Sequence, residues 1–286
     1  MIRSVLCPVD FSPFSERALR FGSAFAAWLG ADLTALWVQS GSWRGHRARD
    51  TPEDGEHRLQ LFTASVLGSR SVHLHTAGGP VVPEILRAAA TVDLIVMGTH
   101  GATGLERLLV GSVAEKVLRK APCPVITVPR VARPASGADL ALNTILCAVD
   151  FSPSSTQAFN YALSFAEKTH GRLLLLHALE WFAEDDDEAA PNADRAAFPT
   201  SEQDALAQLE ELVPPDARSQ RDPEALIGYG NPALEVLRVA AEQRADLIVL
   251  GVQGRGALDL TLFGSTAQQV VRDAMCPVLT VKSEPS

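Results

Sequence analysis

The amino-acid sequence predicts an α/β protein of two tandem doubly wound domains, each a Rossmann-like five-stranded parallel sheet flanked by helices. One observation is an internal repeat, since Cys7 and Asp10 recur 140 residues later as Cys147 and Asp150. A second is the alternation of short apolar runs with segments in which apolar residues recur every three or four positions. Such alternation is typical of a parallel sheet with helices on both faces.

The repeat also predicts the domain boundaries. Towards the end of each copy the offset grows from 140 to 153, which relates Asp93 to Asp246 and indicates a 13-residue insertion in the second copy. We expect a first domain at residues 1–130, a linker at residues 131–142 and a second domain at residues 143–286. A chain of 286 residues is also near the length at which one hydrophobic core gives way to two.

In the first copy, each element follows from its local pattern. IRSVLCPV predicts the first strand, and Ala18, Phe21, Phe25 and Leu29 lie at helical spacing in the segment after it. ADLTALWV and SVHLHTA predict the next two strands, with EHRLQLFTASVLG as the helix between them. PVVPEILRAAA predicts a third helix, DLIVMG a fully buried strand, SVAEKVLRK a fourth helix and CPVITVP the last strand. The second copy repeats the strands as NTILCAV, GRLLLLHAL, EALIGYG, DLIVLG and CPVLTV.

Composition excludes several classes of function. With 25 basic and 34 acidic residues the net charge is −9, and no basic run could follow a phosphate backbone, so we predict no nucleic-acid partner. No segment approaches the ~20 apolar residues of a membrane span, and we expect a cytoplasmic protein. The four cysteines lie in apolar runs without metal-ligand spacing, which predicts buried thiols rather than a redox or metal centre.

The stretch Val-Asp-Phe-Ser-Pro ends the first strand of both copies, with Asp10 and Asp150 at corresponding positions. Ligands of doubly wound sheets lie beyond the carboxyl ends of the strands, where the strand order reverses. Ser12 and Pro13 suit the cap and the first position of a helix, so capping explains them without a ligand. Capping does not explain the aspartates, and a ligand role for them stays open.

A second repeated pattern follows the fourth strand, as GTHGATGLERLLVGS in the first copy and GVQGRGALDLTLFGS in the second. Glycines let backbone N–H groups face a ligand, and a helix that begins at the serine adds its positive dipole end, so the pattern favours phosphate binding. The alternative is a capping box, formed by Ser112 with Glu115 and by Ser265 with Gln268. The same spacing in both copies favours anion binding. Neither copy has G-x-x-x-x-G-K-[ST], so binding is better supported than hydrolysis.

On these two patterns the chain resembles the universal stress protein family, in its tandem two-domain, ATP-binding form. The resemblance covers nearly the whole chain and implies a five-stranded parallel sheet of the adenine nucleotide alpha hydrolase-like type in each copy. It implies that Asp10 and Asp150 face the adenosine end, and that Val38 and His177 lie against the adenine. The other residues placed around the nucleotide are Pro8, Val9, Met97, Gly98, His100, Gly101, Gly111, Ser112 and Val113, and then Ala148, Val149, Leu250, Gly251, Gly254, Gly264, Ser265 and Thr266.

The resemblance implies ATP or ADP as the ligand, with Mg²⁺ accompanying the phosphates, and a nucleotide-responsive regulator in stress adaptation rather than an enzyme. The protein partner it would regulate is unknown. Two alternatives stay open. One is an interaction scaffold without bound nucleotide, and the other is a weak ATP-hydrolysing or adenylating enzyme, which would need a catalytic lysine, a nucleophile or metal carboxylates near the phosphates.

The first copy is the closer match to the family. In the second copy Gln253, Ala257 and Leu260 replace the residues of the first, which are His100, Gly104 and Arg107. We therefore predict that the first site binds ATP more tightly. The family pairs its last strands between subunits, so we expect CPVITVP and CPVLTV to pair within this chain as an intramolecular pseudo-dimer. A further homodimer of whole chains stays open.

Two other clusters have a functional and a simpler interpretation. His73 and His75 lie on one face of a strand and could bind a metal, but a third ligand is missing, so surface histidines are the simpler account and we predict no metal site. The acidic segment 183–194 could bind a divalent ion or gate the second site, although a solvated loop is favoured. Its counterpart in the first copy, at residues 42–50, is basic.

Overall fold

The structure of the protein is a computed structural model. It describes residues 2–40, 52–99, 110–130, 140–179, 201–215, 217, 223–253 and 263–283. The chain divides into two compact units. The first unit comprises Met1–Ala141 with Ala274–Thr280, and the second comprises Leu142–Asp273 with Val281–Ser286. The chain passes from one to the other between Ala141 and Leu142, at the end of the segment predicted as a linker.

In the first unit, strands and helices alternate as the apolar pattern predicts. Its strand order is β3-β2-β1-β4-β5, and each neighbouring pair is parallel. The elements are β1 (Ser4–Val9), α1 (Pro13–Leu29), β2 (Asp32–Gln39), α2 (Pro52–Leu67), β3 (His73–Gly78), α3 (Val81–Ala89), β4 (Leu94–Gly98), α4 (Ser112–Lys120) and β5 (Val125–Val128). All five residues of β4 are buried, as expected for a strand covered on both faces.

The second unit repeats this arrangement, with parallel strands in the order β9-β6-β7-β8. Its elements are β6 (Thr144–Ala148), α5 (Pro153–Thr169), β7 (Arg172–Leu179), α6 (Glu202–Leu212), β8 (Glu224–Tyr229), α7 (Pro232–Glu242), β9 (Leu247–Gly251) and α8 (Ser265–Asp273). The predicted α/β class, with two tandem doubly wound copies, is confirmed.

The last strand of the chain, β10 (Val278–Val281), pairs antiparallel with β5. Leu279 lies opposite Ile126, and both side chains are fully buried. The hydroxyl of Thr280 donates a hydrogen bond to the Val125 carbonyl at 3.1 Å. The expected pairing of the two last strands within one chain is confirmed. An apolar strand that would otherwise present an open edge is thereby covered.

An aspartate ties two strands together at their amino ends in each unit. Asp93 Oδ2 accepts hydrogen bonds from the backbone N–H groups of Arg3 and Ser4, at 2.8 and 3.0 Å, and from the Ser4 hydroxyl at 2.9 Å. Asp246 Oδ2 accepts the equivalent backbone bonds from Asn143 and Thr144. Led by the Arg3 N–H, these donors lower the pKa of Asp93 because they favour its charged form.

The cysteines divide into two classes. Cys7 and Cys147 are fully buried, and desolvation raises the pKa of both thiols. The prediction of buried thiols is therefore confirmed for this pair. It is wrong for Cys123 and Cys276, which are partly exposed because they lie in the turns before β5 and β10 rather than inside those strands.

Candidate functional site

The strand order reverses beside the first strand of each copy. From β1 the chain moves outward to β2 and β3, and then returns to place β4 on the other side of β1. The register of β1 with β4 brings the carboxyl ends of the two strands level, and β6 and β9 are aligned in the same way. The candidate residues that meet at these strand ends are Pro8, Val9, Asp10, Met97 and Gly98 in the first unit, and Ala148, Val149, Asp150, Leu250 and Gly251 in the second.

The aspartate of each copy holds a strained turn. Asp10 Oδ1 accepts hydrogen bonds from the backbone N–H and the hydroxyl of Ser12, at 3.1 and 2.5 Å. Asp150 Oδ1 accepts the same two bonds from Ser152, at 3.0 and 2.5 Å. The phenylalanine inside each turn has a left-handed backbone, with φ of 63° at Phe11 and 61° after Asp150. Such a conformation costs about 1–3 kcal/mol, and the hydrogen bonds to the aspartate hold the turn against that cost. The aspartate therefore has a structural task in the turn, in addition to the helix capping by serine.

The serines cap the helices as predicted. Ser12 accepts a hydrogen bond from the Ser15 N–H at 3.2 Å at the start of α1. Ser152 accepts the equivalent bond from Ser155 at 3.3 Å at the start of α5. Proline follows the cap in both helices. Each Val-Asp-Phe-Ser-Pro stretch is therefore a self-contained strand-to-helix corner.

The phenylalanine of each corner packs on the second strand. The ring centroid of Phe11 lies 5.5 Å from that of Trp37 and 5.3 Å from that of Phe62, and the Arg58 guanidinium lies 4.3 Å above the Phe11 ring. In the second unit, the ring centroids of Phe151 and His177 lie 4.8 Å apart. The sequence pattern places Trp37 in the packed core and not in the candidate site, although the offset of 140 residues that relates the aspartates also relates Trp37 to His177.

This equivalence changes the interpretation of the two residues expected against the adenine. His177 is almost fully buried, and its Nδ1 donates to the Val149 carbonyl at 2.7 Å, since a carbonyl oxygen can only accept. Val38 follows Trp37 and therefore corresponds to Ala178. Because successive residues of a strand point to opposite faces, Val38 and His177 cannot occupy equivalent places around one ligand. The equivalent pairs are Trp37 with His177 and Val38 with Ala178.

The first glycine of each glycine segment is needed for packing. A Cβ at Gly98 would lie 3.1 Å from the Phe14 carbonyl oxygen, in the first turn of α1. A Cβ at Gly251 would lie 2.4 Å from Ser154 Oγ and 2.8 Å from the Ser155 backbone nitrogen. Close approach of β4 and β9 to these helices accounts for both glycines without a ligand.

The last glycine of the segment behaves differently. Gly111 is the N-cap of α4, with φ of −57° and no side-chain hydrogen bond to the first turn. Its own N–H donates to the Thr99 carbonyl at 2.8 Å, and Gly264 N–H donates to the Val252 carbonyl at the same distance. The capping-box alternative is wrong for the first copy, because Ser112 is the first helical residue rather than the cap. The first turn of α4 therefore has no side-chain cap to screen its positive dipole end.

The remaining candidates have these places. Val113 follows the exposed Ser112 in the first turn of α4, and Ser265 and Thr266 begin α8. Outside the described residues lie His100, Gly101, Gly104, Arg107, Gly254, Ala257, Leu260, the acidic segment 183–194 and the basic segment 42–50.

Within the described ranges, no three His, Cys, Asp or Glu side chains are arranged to hold a metal ion. His73 and His75 are both exposed on β3. None of the helices described is long and apolar enough to span a membrane.

Comparison with known proteins gives consistent matches over nearly the full length of the chain. The model of the universal stress protein family matches residues 1–129 and 142–282. A universal stress protein of Mycolicibacterium smegmatis is 26% identical, with 97% of this chain and 96% of the relative covered. One from Mycobacterium tuberculosis is 28% identical over the same shares. The crystal structure of a universal stress protein from Archaeoglobus fulgidus superposes with a TM-score of 0.73 at 23% identity, covering 98% of this chain and 96% of that one.

Proposed function

Because this chain belongs to the universal stress protein family, we propose that it binds an adenine nucleotide in each copy and acts as a nucleotide-responsive regulator in stress adaptation. ATP is the proposed ligand, with ADP as the nearest alternative. The strongest support is the start of α4, where a glycine occupies the cap position and leaves the first turn without a side-chain cap. This glycine ends a segment in which the first, second and last glycines have the same spacing in both copies. A helix start of this kind attracts phosphate groups.

The proposed nucleotide lies across the carboxyl ends of the strands at each reversal point. Asp10 and Asp150 would face the adenosine end, beside the Phe11–Trp37 and Phe151–His177 contacts. Gly111, Ser112 and their counterparts at the start of α8 would hold the phosphates through backbone N–H and hydroxyl groups. Mg²⁺ would neutralise phosphate charge when bound with ATP.

We favour regulation over turnover. Nucleotide binding would bias the arrangement of the glycine segments and thereby a surface that a cytoplasmic protein partner reads, since a ligand shifts an equilibrium by its preference between states. The glycine segments contain no lysine that could serve a phosphoryl-transfer site. An interaction scaffold is the second candidate, because the packing role of Gly98 and Gly251 explains part of the repeated pattern without any ligand.

The first test is to purify the protein without added nucleotide, denature it, and count what is released by chromatography and mass spectrometry. About two adenine nucleotides per chain would support two working sites, and about one would point to the first copy. An empty protein that also fails to bind added ATP would favour the scaffold.

Titration calorimetry on Gly111→Val and Gly264→Val separates the sites. The φ of −57° at Gly111 is open to any residue, so the valine is expected to block the ligand while the backbone keeps its conformation. We expect the Gly264→Val variant, which keeps the first site, to bind ATP more tightly than the Gly111→Val variant. Gly78→Ala is the control, since a Cβ there has no neighbour within 4 Å. Equal residual affinities would contradict the predicted order.

A further inference from the structure

Gln253 lies where the chain leaves β9, and it is held from two sides. Its backbone carbonyl accepts a hydrogen bond from Ser154 Oγ and lies 3.2 Å from Ser152 Oγ. Its side-chain Oε1 accepts from the Ser283 hydroxyl at 3.3 Å. Ser154 is 1% exposed and Gln253 8% exposed, so the bonds of the serines to the Gln253 carbonyl are shielded from water. Hydrogen bonds of this kind resist movement of the groups that they join.

A count of hydrogen atoms decides which of the two serine hydroxyls donates to the Gln253 carbonyl. The Ser152 hydroxyl has one hydrogen, and its oxygen lies 2.5 Å from Asp150 Oδ1 and 3.2 Å from the Gln253 carbonyl oxygen. The shorter bond, to a carboxylate, takes that hydrogen. The Ser154 hydroxyl is therefore the committed donor to Gln253. With the two serine oxygens 3.2 Å apart, Asp150, Ser152, Ser154 and Gln253 form a chain of polar contacts across the reversal point.

The first copy cannot form this link, because Phe14 stands where the second copy has Ser154. The close approach of helix to strand is nevertheless the same in both copies. Phe14 lies against Gly98 at the end of β4, as Ser154 lies against Gly251 at the end of β9. The two copies thus share a corner and a close helix-to-strand approach, and they differ in the hydroxyl that reaches the Gln253 carbonyl.

We propose that Ser154 is a positioning residue of the second nucleotide site, a role that rests on the proposed function. By fixing the Gln253 carbonyl beside the corner of Asp150, its hydroxyl holds the carboxyl end of β9 in place before the ligand arrives. A strand end that is already fixed loses less conformational freedom on binding, so the affinity of the site rises. The second copy, which lacks several residues of the family pattern, thereby depends on a contact that the first copy does not have.

The test is ATP titration calorimetry in the Gly111→Val background, where only the second site is open. Ser154→Ala is expected to weaken ATP binding about three- to tenfold, the size of one lost buried hydrogen bond. Ser164→Ala is the matched control on α5, because the exposed Ser164 hydroxyl bonds within its own helix, to the Tyr161 carbonyl at 2.9 Å. It should leave the affinity unchanged. In the Gly264→Val background, Ser154→Ala should leave the first site unchanged.

Each result has a defined meaning. If the Gly111→Val background binds ATP and Ser154→Ala binds it equally well, the positioning role is overturned while the proposed function stands. The positioning role is also overturned if Ser154→Ala only lowers the melting temperature, since a merely structural role would not change the dissociation constant of the folded protein. If wild-type protein and both backgrounds fail to bind ATP, the proposed function fails and the inference fails with it.

Discussion

Replacing Gly251 by alanine is expected to destabilise the protein far more than the same change at the corresponding Gly98. A Cβ at Gly251 would meet three atoms of α5, at 2.4, 2.8 and 2.9 Å, and two of these are backbone atoms. The nearest atoms to a Cβ at Gly98 lie at 3.1 and 3.2 Å. Since comfortable contacts of carbon atoms begin near ~3.5 Å, α5 would have to move by over about half an ångström and α1 by a few tenths.

These distances give the expected magnitudes. Overpacking costs about 1–3 kcal/mol, and Gly251→Ala belongs at the upper end because backbone cannot rotate away. Alanine recovers about 0.5–1 kcal/mol of the entropic cost of glycine in a strand, which leaves about 2 kcal/mol for Gly251→Ala and about 0.5 kcal/mol or less for Gly98→Ala. For a unit of about 140 residues, with an unfolding entropy of ~2.1 cal/mol/K per residue, the melting temperature would fall by about 7 °C and by under about 2 °C.

Differential scanning calorimetry of the two variants measures these shifts directly. Gly78→Ala serves as the control, because nothing lies within 4 Å of the added Cβ, and its melting temperature should equal or slightly exceed that of the wild type. Equal decreases for Gly98→Ala and Gly251→Ala, or no decrease for Gly251→Ala, would refute the packing account. The presence of glycine at positions 98 and 251 would then need a ligand to explain it.

Three further changes test other parts of the fold. Because its donors lower the pKa of Asp93, its stabilisation is complete above about pH 4 and is lost as the pH falls through the lowered value. Asp93→Asn should therefore cost about 1 kcal/mol at pH 7, and this difference should shrink in urea titrations as the pH falls below about 4; a constant difference would contradict this. His170 ends α5 with φ of 59°, where Gly30 ends α1, so His170→Gly should raise stability by about 0.5–1 kcal/mol, and a lower melting temperature would oppose it. Cys7 and Cys147 should resist maleimide in the native protein, and rapid labelling would contradict their burial.

The fold could be predicted because each of its elements carries a local pattern. The burial of β4 follows from the run DLIVMG, and the start of α1 follows from Ser12 and Pro13. The pairing of β10 with β5 was expected on two grounds: an apolar strand at a sheet edge requires a partner, and the resemblance to the family implies that the two last strands pair. The predictions for β4 and α1 depend on periodicity and capping, which act over a few residues.

The site was predicted less completely, because its contacts join distant parts of the chain. The packing of Gly98 against Phe14 depends on how closely β4 approaches α1, and no local pattern encodes that distance. Trp37 was missed for a different reason. The offset of 140 residues was sufficient to find it, but Val38 and His177 were selected by their nearness to the strand ends rather than by register.

Repetition shows that a residue is retained in both copies, and its local task decides whether a ligand is needed to explain it. Asp10 has such a task, since its carboxylate holds the left-handed turn at Phe11. Gly98 has one in the packing of α1. Gly111 has no such backbone task, because φ of −57° is open to every residue and serine or aspartate would cap α4 better than glycine. Glycine at this cap gives up helix stability and keeps side-chain atoms away from the first-turn N–H groups, which is the arrangement that a bound phosphate requires. Gly111 is therefore a stronger argument for nucleotide than the more conspicuous aspartates, and Gly111→Val is the variant on which the proposed function should be judged.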